Sequence, residues 1–170
     1  KFLWIELGLQ TIHEDTARYI RRGYPLSCFE QACADLKALQ IPFIVHTILG
    51  LPGETNIQLL QTMDYLNRIQ PFGIKLQLLH VLKDTDLADD YLAGKFEALT
   101  FDAYIDLVIS CLAHLSPDIV IHRVTGDGPK NLLIAPTWSM DKRGVLNELH
   151  HRMKKQGIRQ GDLFPKDNYS

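Results

Sequence analysis

The sequence predicts an α/β fold of parallel strands with helical crossovers, and three of its features carry that prediction. Four short β-like runs are separated by segments of helical spacing, the runs are apolar on both faces, and turn residues follow each run. Alternation of strand and helix points to βαβ units with right-handed crossovers, and strands of this kind suit an interior covered by helices. Four strands cannot close a barrel. The pattern therefore describes either a small open sheet or half of a larger barrel.

In the first run, KFLWIELGLQ (1–10), Trp4, Glu6, Gly8 and Gln10 alternate with Ile5, Leu7 and Leu9. Glu6 and Gln10 then share a face with Gly8 between them. A carboxylate and an amide placed so suit the hydroxyls of a sugar, and equally a neighbouring strand. A helix follows in SCFEQACADLKALQ, where Ser27 and Glu30 read as a capping box, Ala32, Cys33, Leu36 and Leu39 recur at helical spacing, and Pro42 lies beyond the end.

The second run, PFIVHTILG (42–50), puts Ile44, His46 and Ile48 on one face and Phe43, Val45 and Thr47 on the other. It ends in GLPGE, a turn whose backbone few side chains obstruct. A flat base could lie on Ile48 against that backbone; alternatively the turn only starts a helix, with Glu54 favourably placed at its positive end. The helix, about 55–70, presents Leu59, Met63 and Leu66.

The third run, GIKLQLLHVL (73–82), places Lys75 and Gln77 on the inward face and His80 with Ile74, Leu76 and Leu78. A helix over 100–115 presents Tyr104, Leu107, Val108, Cys111 and Leu112, and the fourth run is DIVIHRV (118–124). After TGDGPKNLLIAPTW, an appended helix spans about 144–156. Residues 1–125 thus read as the sheet unit and 126–170 as an extension. The turns 10–13, 50–55, 82–85 and 125–129 fall at the carboxyl ends of the strands, where such folds gather function.

A chain of 170 residues, 46% hydrophobic, supports one sizeable core. The net charge of −2 and the pI near 6.4 exclude a strongly basic nucleic-acid binder. Cys28, Cys33 and Cys111 are odd in number, fit no metal spacing and read as helix packing, so a secreted disulfide framework is not expected. No signal peptide or membrane span is legible, and a cytoplasmic protein is expected. Opening at Lys1 inside an apolar run reads as a piece of a longer polypeptide. His46, His80 and His122, one per run, invite a barrel-hydrolase metal site, but His80 has the opposite parity. The basic residues Arg152, Lys154, Lys155 and Arg159 suit phosphates or a solvated helix face.

The ordered segments ELGLQ, ILGLPGET, IKLQLLHVLKDTDLADDY, VIHRVTGDGP and LLIAPTW resemble the second half of a radical S-adenosylmethionine (radical SAM) enzyme. Within that superfamily the segments look like those of the YhcC-type group, which is similar to the elongator catalytic subunit. The resemblance implies the C-terminal half of a partial (β/α)6 TIM-like barrel. It further implies that Gln10 contacts the ribose or methionine of S-adenosylmethionine, that Arg22 approaches the methionine carboxylate, and that Ile48, Gly50 and Leu51 hold the adenine. Leu79, His80 and Val81 would add backbone contacts, with Glu6 and His46 beside the nucleotide. Lys75, Gln77, His122 and Arg123 become substrate-side candidates.

The implied parent reaction is hydrogen abstraction by a 5′-deoxyadenosyl radical made at a [4Fe-4S] cluster, with transfer RNA as a substrate class and an unspecified electron donor. The cluster loop Cys-x3-Cys-x2-Cys and the GGE segment are absent here, and His46 stands where relatives carry an aspartate. The chain alone is therefore expected to bind S-adenosylmethionine poorly and turn nothing over, and to need the N-terminal half of the barrel. The alternatives are a non-catalytic half-barrel that dimerises through its open edge, and a metal-dependent barrel hydrolase.

Overall fold

The computed structural model of the chain describes residues 3–126 and 128–165. Four parallel strands, β1 Ile5–Gln10, β2 Phe43–Leu49, β3 Gly73–Leu78 and β5 Val120–Arg123, lie in the order β1-β2-β3-β5. β4 Val81–Leu82 pairs antiparallel with β6 Leu133–Ala135 in a separate two-stranded sheet. The four-stranded sheet is open and curled. Trp4, ahead of β1, comes within 6.2 Å of the His122 ring on β5, centroid to centroid, although two strands lie between them.

Register explains the two faces. Val45 pairs with Ile74 and Leu49 with Leu78, and these side chains are buried against helices together with Leu9, Phe43 and Leu76. Their one-residue neighbours Glu6, His46, Lys75 and Gln77 point to the concave side, as the period-2 reading requires.

The helices are α1 Glu14–Tyr19, α2 Leu26–Ala38, α3 Asn56–Ile69, α4 Asp86–Leu92, α5 Phe101–His114 and α6 Lys142–Gln156. α3 starts on a capping box, Thr55 accepting from Gln58 N–H while the Gln58 side chain accepts from Thr55 N–H. Thr100 caps α5 and Asp141 caps α6. The capping box expected at Ser27 and Glu30 does not form. Pro25, with its φ preset at −75°, stands at the N-cap of α2, so Ser27 lies inside the first turn, and the Leu26 N–H is met by Glu14 at 2.6 Å. α1 and α4 are too short to show a clear period in sequence. Val145 and Leu149 of α6 join the main core.

The run 73–82 is two elements. The chain leaves the parallel sheet after Leu78, where the Leu79 N–H still bonds Leu49 C=O, and Val81 then pairs with Ala135. Val81, Ala88 and Ala135, with Tyr91, Phe96, Ala98 and Ile134, make a second small core. None of the helices described is long and apolar enough to cross a membrane.

Candidate functional site

The carboxyl end of β1 turns on Gln10. Its φ is +60°, a conformation uncommon for a residue with a side chain, and the Thr11 N–H bonds Leu9 C=O across it at 2.8 Å. The pairing of β1 with β2 slips between Gly8 and Gln10. The Gln10 amide folds back over Gly8, where a Cβ would lie 2.5 Å from Gln10 Nε2, so a side chain at Gly8 would displace the amide from this position. Gln10 Oε1 is, among the described residues, a buried side-chain oxygen that no protein group meets. A buried acceptor left unpaired costs free energy unless something else donates to it.

On the concave face the structure joins Glu6 and His46, which the resemblance sets together beside the nucleotide, with Lys75, one of the substrate-side candidates. Glu6 Oε2 lies 2.5 Å from Lys75 Nζ and 2.6 Å from His46 Nε2. The Lys75 hydrogen bond, followed by those from His46 and Trp4, holds the Glu6 carboxyl at about 2 against the burial that opposes it. His122 stands apart, packed between Trp4 and Phe72 with ring centroids 6.2 and 5.8 Å away. Gln77 pairs in register with Ile48 on this face. His122 and Arg123 also line an open cavity of about 500 Å³ beside β5, together with Leu149 and Met153 of α6.

The GLPGET turn is occupied from above rather than bare. Gly50 has φ +81°, and a Cβ there would lie 2.7 Å from Leu99 Cδ1, because the segment after α4 folds over it and the Trp138 indole N–H donates to Leu99 C=O at 3.0 Å. Leu99, distant in sequence, thus takes the space that a side chain at Gly50 would need. Leu51, Leu79 and Val81 are buried, and only Ile48 of that set keeps an accessible apolar surface. Glu54 turns back toward β1, accepting from Thr11 Oγ1 at 2.5 Å, and burial raises its carboxyl above the ordinary value.

Arg22, to which the resemblance gives the methionine carboxylate, lies in the loop between α1 and α2. Its side chain is 1% exposed, and four hydrogen bonds from its guanidinium go to Tyr24 C=O, Leu9 C=O, Thr11 C=O and the Glu14 carboxylate. His80 meets Ser139 Oγ at 3.1 Å; because that hydroxyl donates to Pro136 C=O, His80 Nε2 is the donor, and burial lowers its basicity. His46, His80 and His122 thus go to three different partners, and no group of three or more His, Cys, Asp or Glu suited to a metal occurs among the described residues. Cys33 and Cys111 are buried, with thiols pushed up to about 11 and about 12, whereas Cys28 is exposed and not the packing residue expected. Of the basic run, Arg152 is committed to Glu148, Asp102 and Asp106. The turn at 125–129 includes residue 127, and the terminal residues 166–170 likewise lie outside those described.

Sequence reasoning missed Tyr24, Thr11 and Leu99. The Tyr24 hydroxyl donates to Gly8 C=O, and none of the three belongs to a periodic pattern that would have marked it.

The family model of the Radical SAM superfamily matches residues 1–66 and that of the Radical_SAM C-terminal domain residues 71–155. The chain is 39% identical over 163 residues to the uncharacterized protein YtqA of Bacillus subtilis, covering 96% of this chain and 51% of that protein. It is 29% identical to protein YhcC of Escherichia coli K12, covering 95% and 52%. The chain thus spans about half the length of these relatives. The archaeal Elp3 of Methanocaldococcus infernus superposes with a TM-score of 0.80 at 18% identity, over 92% of this chain and 37% of that one.

Proposed function

The chain belongs to the radical SAM superfamily, and from that premise we propose that it supplies the adenosine-facing side of an S-adenosylmethionine site in a longer enzyme. The observation that carries the reading is Gln10 Oε1, a buried acceptor at the carboxyl edge of the sheet that no protein group meets. A ribose hydroxyl is a donor of the right kind. The group fits the residues present in part: Gln10 offers the acceptor, the missing Cβ of Gly8 leaves the amide its place, and Ile48 offers apolar surface. Gly50, Leu51, Leu79 and Val81 act in this reading through the backbone they shape.

S-adenosylmethionine bound there would supply a 5′-deoxyadenosyl radical once a reduced [4Fe-4S] cluster, liganded outside this chain, donates an electron. Cys33 and Cys111 do not suit the cluster, because burial disfavours the thiolate that iron requires, and the exposed Cys28 alone falls short of the several thiolates a cluster needs. We therefore propose that the isolated chain turns nothing over. Its own residues orient the nucleotide and keep water out, while Lys75, Gln77, His122 and Arg123 face or flank the concave side where a substrate would lie. Residues 1–125 carry the barrel half in this reading and 126–170 an extension, whose α6 packs Val145 and Leu149 on the main core.

Transfer RNA as substrate rests on the resemblance alone, and α6 lends it little, since Arg152 already faces three carboxylates. The outer edge of β1, which pairs only with β2 among the described residues and where Ile5 is 37% exposed, favours a second element of the reading: the preceding half-barrel, or a second copy when that half is absent, covers this edge.

The test is S-adenosylmethionine binding, by calorimetry, to the full natural polypeptide that contains this chain. Gln10→Ala is expected to weaken it about tenfold, the value of one well-formed hydrogen bond to an otherwise buried acceptor. Unchanged affinity would refute the assignment of this edge to the nucleotide.

A further inference from the structure

We propose that Arg22 and Tyr24 are positioning residues, which hold the Gln10 turn in its strained conformation from behind and do not touch the nucleotide. The inference rests on the reading of Gln10 as a nucleotide contact. It departs from the role that the resemblance gives Arg22, a direct contact with the methionine carboxylate.

The turn needs holding. Leu9, Gln10 and Thr11 close a three-residue turn with positive φ at its centre, the rarer and more strained sense of such turns, and a side chain at that centre adds to the cost. Strain of this kind persists only where surrounding contacts over-determine it. Here they do so from one side. Arg22 donates from one nitrogen of its guanidinium to both carbonyls that flank Gln10, Leu9 C=O at 3.2 Å and Thr11 C=O at 2.7 Å. The Tyr24 hydroxyl takes the next carbonyl back, that of Gly8.

The clamp is itself fixed. Arg22 Nε donates to Tyr24 C=O at 2.9 Å, its guanidinium carbon lies 5.3 Å from the Tyr24 ring centre, and its remaining terminal nitrogen meets Glu14 at 2.8 Å. Glu14 in turn accepts from the Leu26 N–H at 2.6 Å, which ties the assembly to the start of α2. Charge-assisted hydrogen bonds to carbonyls are the strong kind. With a side chain 1% exposed, Arg22 presents its charge to protein groups rather than to a ligand.

The consequence is that Arg22 acts on ligand binding through Gln10 alone. Calorimetry on the full natural polypeptide separates the possibilities, with S-adenosylmethionine and 5′-methylthioadenosine, which lacks the methionine carboxylate, as the two probes. The variants are Arg22→Gln, Tyr24→Phe, Gln10→Ala and Gln10→Ala combined with each of the others.

If Arg22 positions Gln10, Arg22→Gln weakens both ligands by a similar factor of about ten, and adds nothing once Gln10 is alanine. A loss confined to S-adenosylmethionine, with 5′-methylthioadenosine unaffected, overturns the proposal in favour of a direct carboxylate contact and leaves the nucleotide site standing. Full affinity for both ligands in Gln10→Ala overturns the nucleotide site and the proposal together. Should Arg22→Gln fail to fold, Tyr24→Phe, which removes one hydroxyl, decides by the same pattern at smaller amplitude.

Discussion

Lys75 Nζ lies 2.5 Å from Glu6 Oε2, so a residue of β3 reaches across β2 to a carboxylate on β1, and His46 of the intervening strand joins the same oxygen at 2.6 Å. The three strands are thereby tied on their concave face by one carboxylate.

The depressed carboxyl of Glu6 gives a pH signature. Its folded value of about 2 lies below the ordinary 4.5, so its contribution to stability is complete above 4.5 and is lost as pH falls through 2. Urea denaturation of wild type and Glu6→Gln is expected to show a stability gap that is full at about pH 6 and closes toward about pH 2. The Glu6 side chain is 38% exposed, so about 1 M salt should shrink the gap. A gap independent of pH would show that Lys75 does not stabilise the charged form.

Gly50→Ala meets two obstacles, a φ of +81° and a Cβ 2.7 Å from Leu99 Cδ1. Together they are expected to cost about 2–4 kcal/mol. Combining Gly50→Ala with Leu99→Ala removes the clash and leaves the strain, so the double variant should be more stable than the sum of the two single losses, by about 1 kcal/mol or more in a thermodynamic cycle. Strict additivity would mean that Leu99 is not what excludes the side chain.

Asn67 is fully buried at the end of α3, donating to His114 C=O at 2.8 Å and accepting from the Ser116 N–H at 2.9 Å. Asn67→Leu leaves both backbone groups buried without partners. A loss of about 2–4 kcal/mol is expected in urea denaturation with an unchanged m value. A loss under about 0.5 kcal/mol would show that the α5–β5 turn finds other partners.

Arg152 draws Asp102 and Asp106 of α5 and Glu148 of its own helix into one cluster. Arg152→Gln is expected to speed hydrogen exchange at the α6 amides while leaving those of β2 and β3 protected. Lys154→Gln and Lys155→Gln, at residues which the structure does not place in this cluster, should change exchange only in the last turn of α6, where the lysines meet the negative end of the helix. Equal effects from both would make the cluster irrelevant to the docking of α6.

Much of this molecule was legible locally. Alternation in WIELGLQ and FIVHTIL assigned the two sheet faces correctly, Thr55 and Thr100 stand where their helices were expected to begin, and the ordered motifs pointed to the radical SAM superfamily to which the chain belongs. Other readings failed where one segment was asked to speak for two. GIKLQLLHVL keeps a strand-like character to its end, and nothing in its period tells that Val81 will leave the parallel sheet to pair with Ala135. Ser27 and Glu30 match a capping pattern that Pro25 pre-empts.

The sequence by itself determined the strand and helix alternation, the inward and outward faces, and the family, because these depend on periodicity and on motifs a few residues long. Only the tertiary structure decided that Glu6 meets Lys75, that Leu99 fills the space beside Gly50, and that Arg22 clamps the carbonyls around Gln10. Those pairings depend on strand register, curvature of the sheet and the path of connecting segments. A charge or an unpaired carbonyl is satisfied by whatever the fold brings within about 3 Å, and short-range hydrogen bonding at that distance carries no trace in the spacing of residues along the chain.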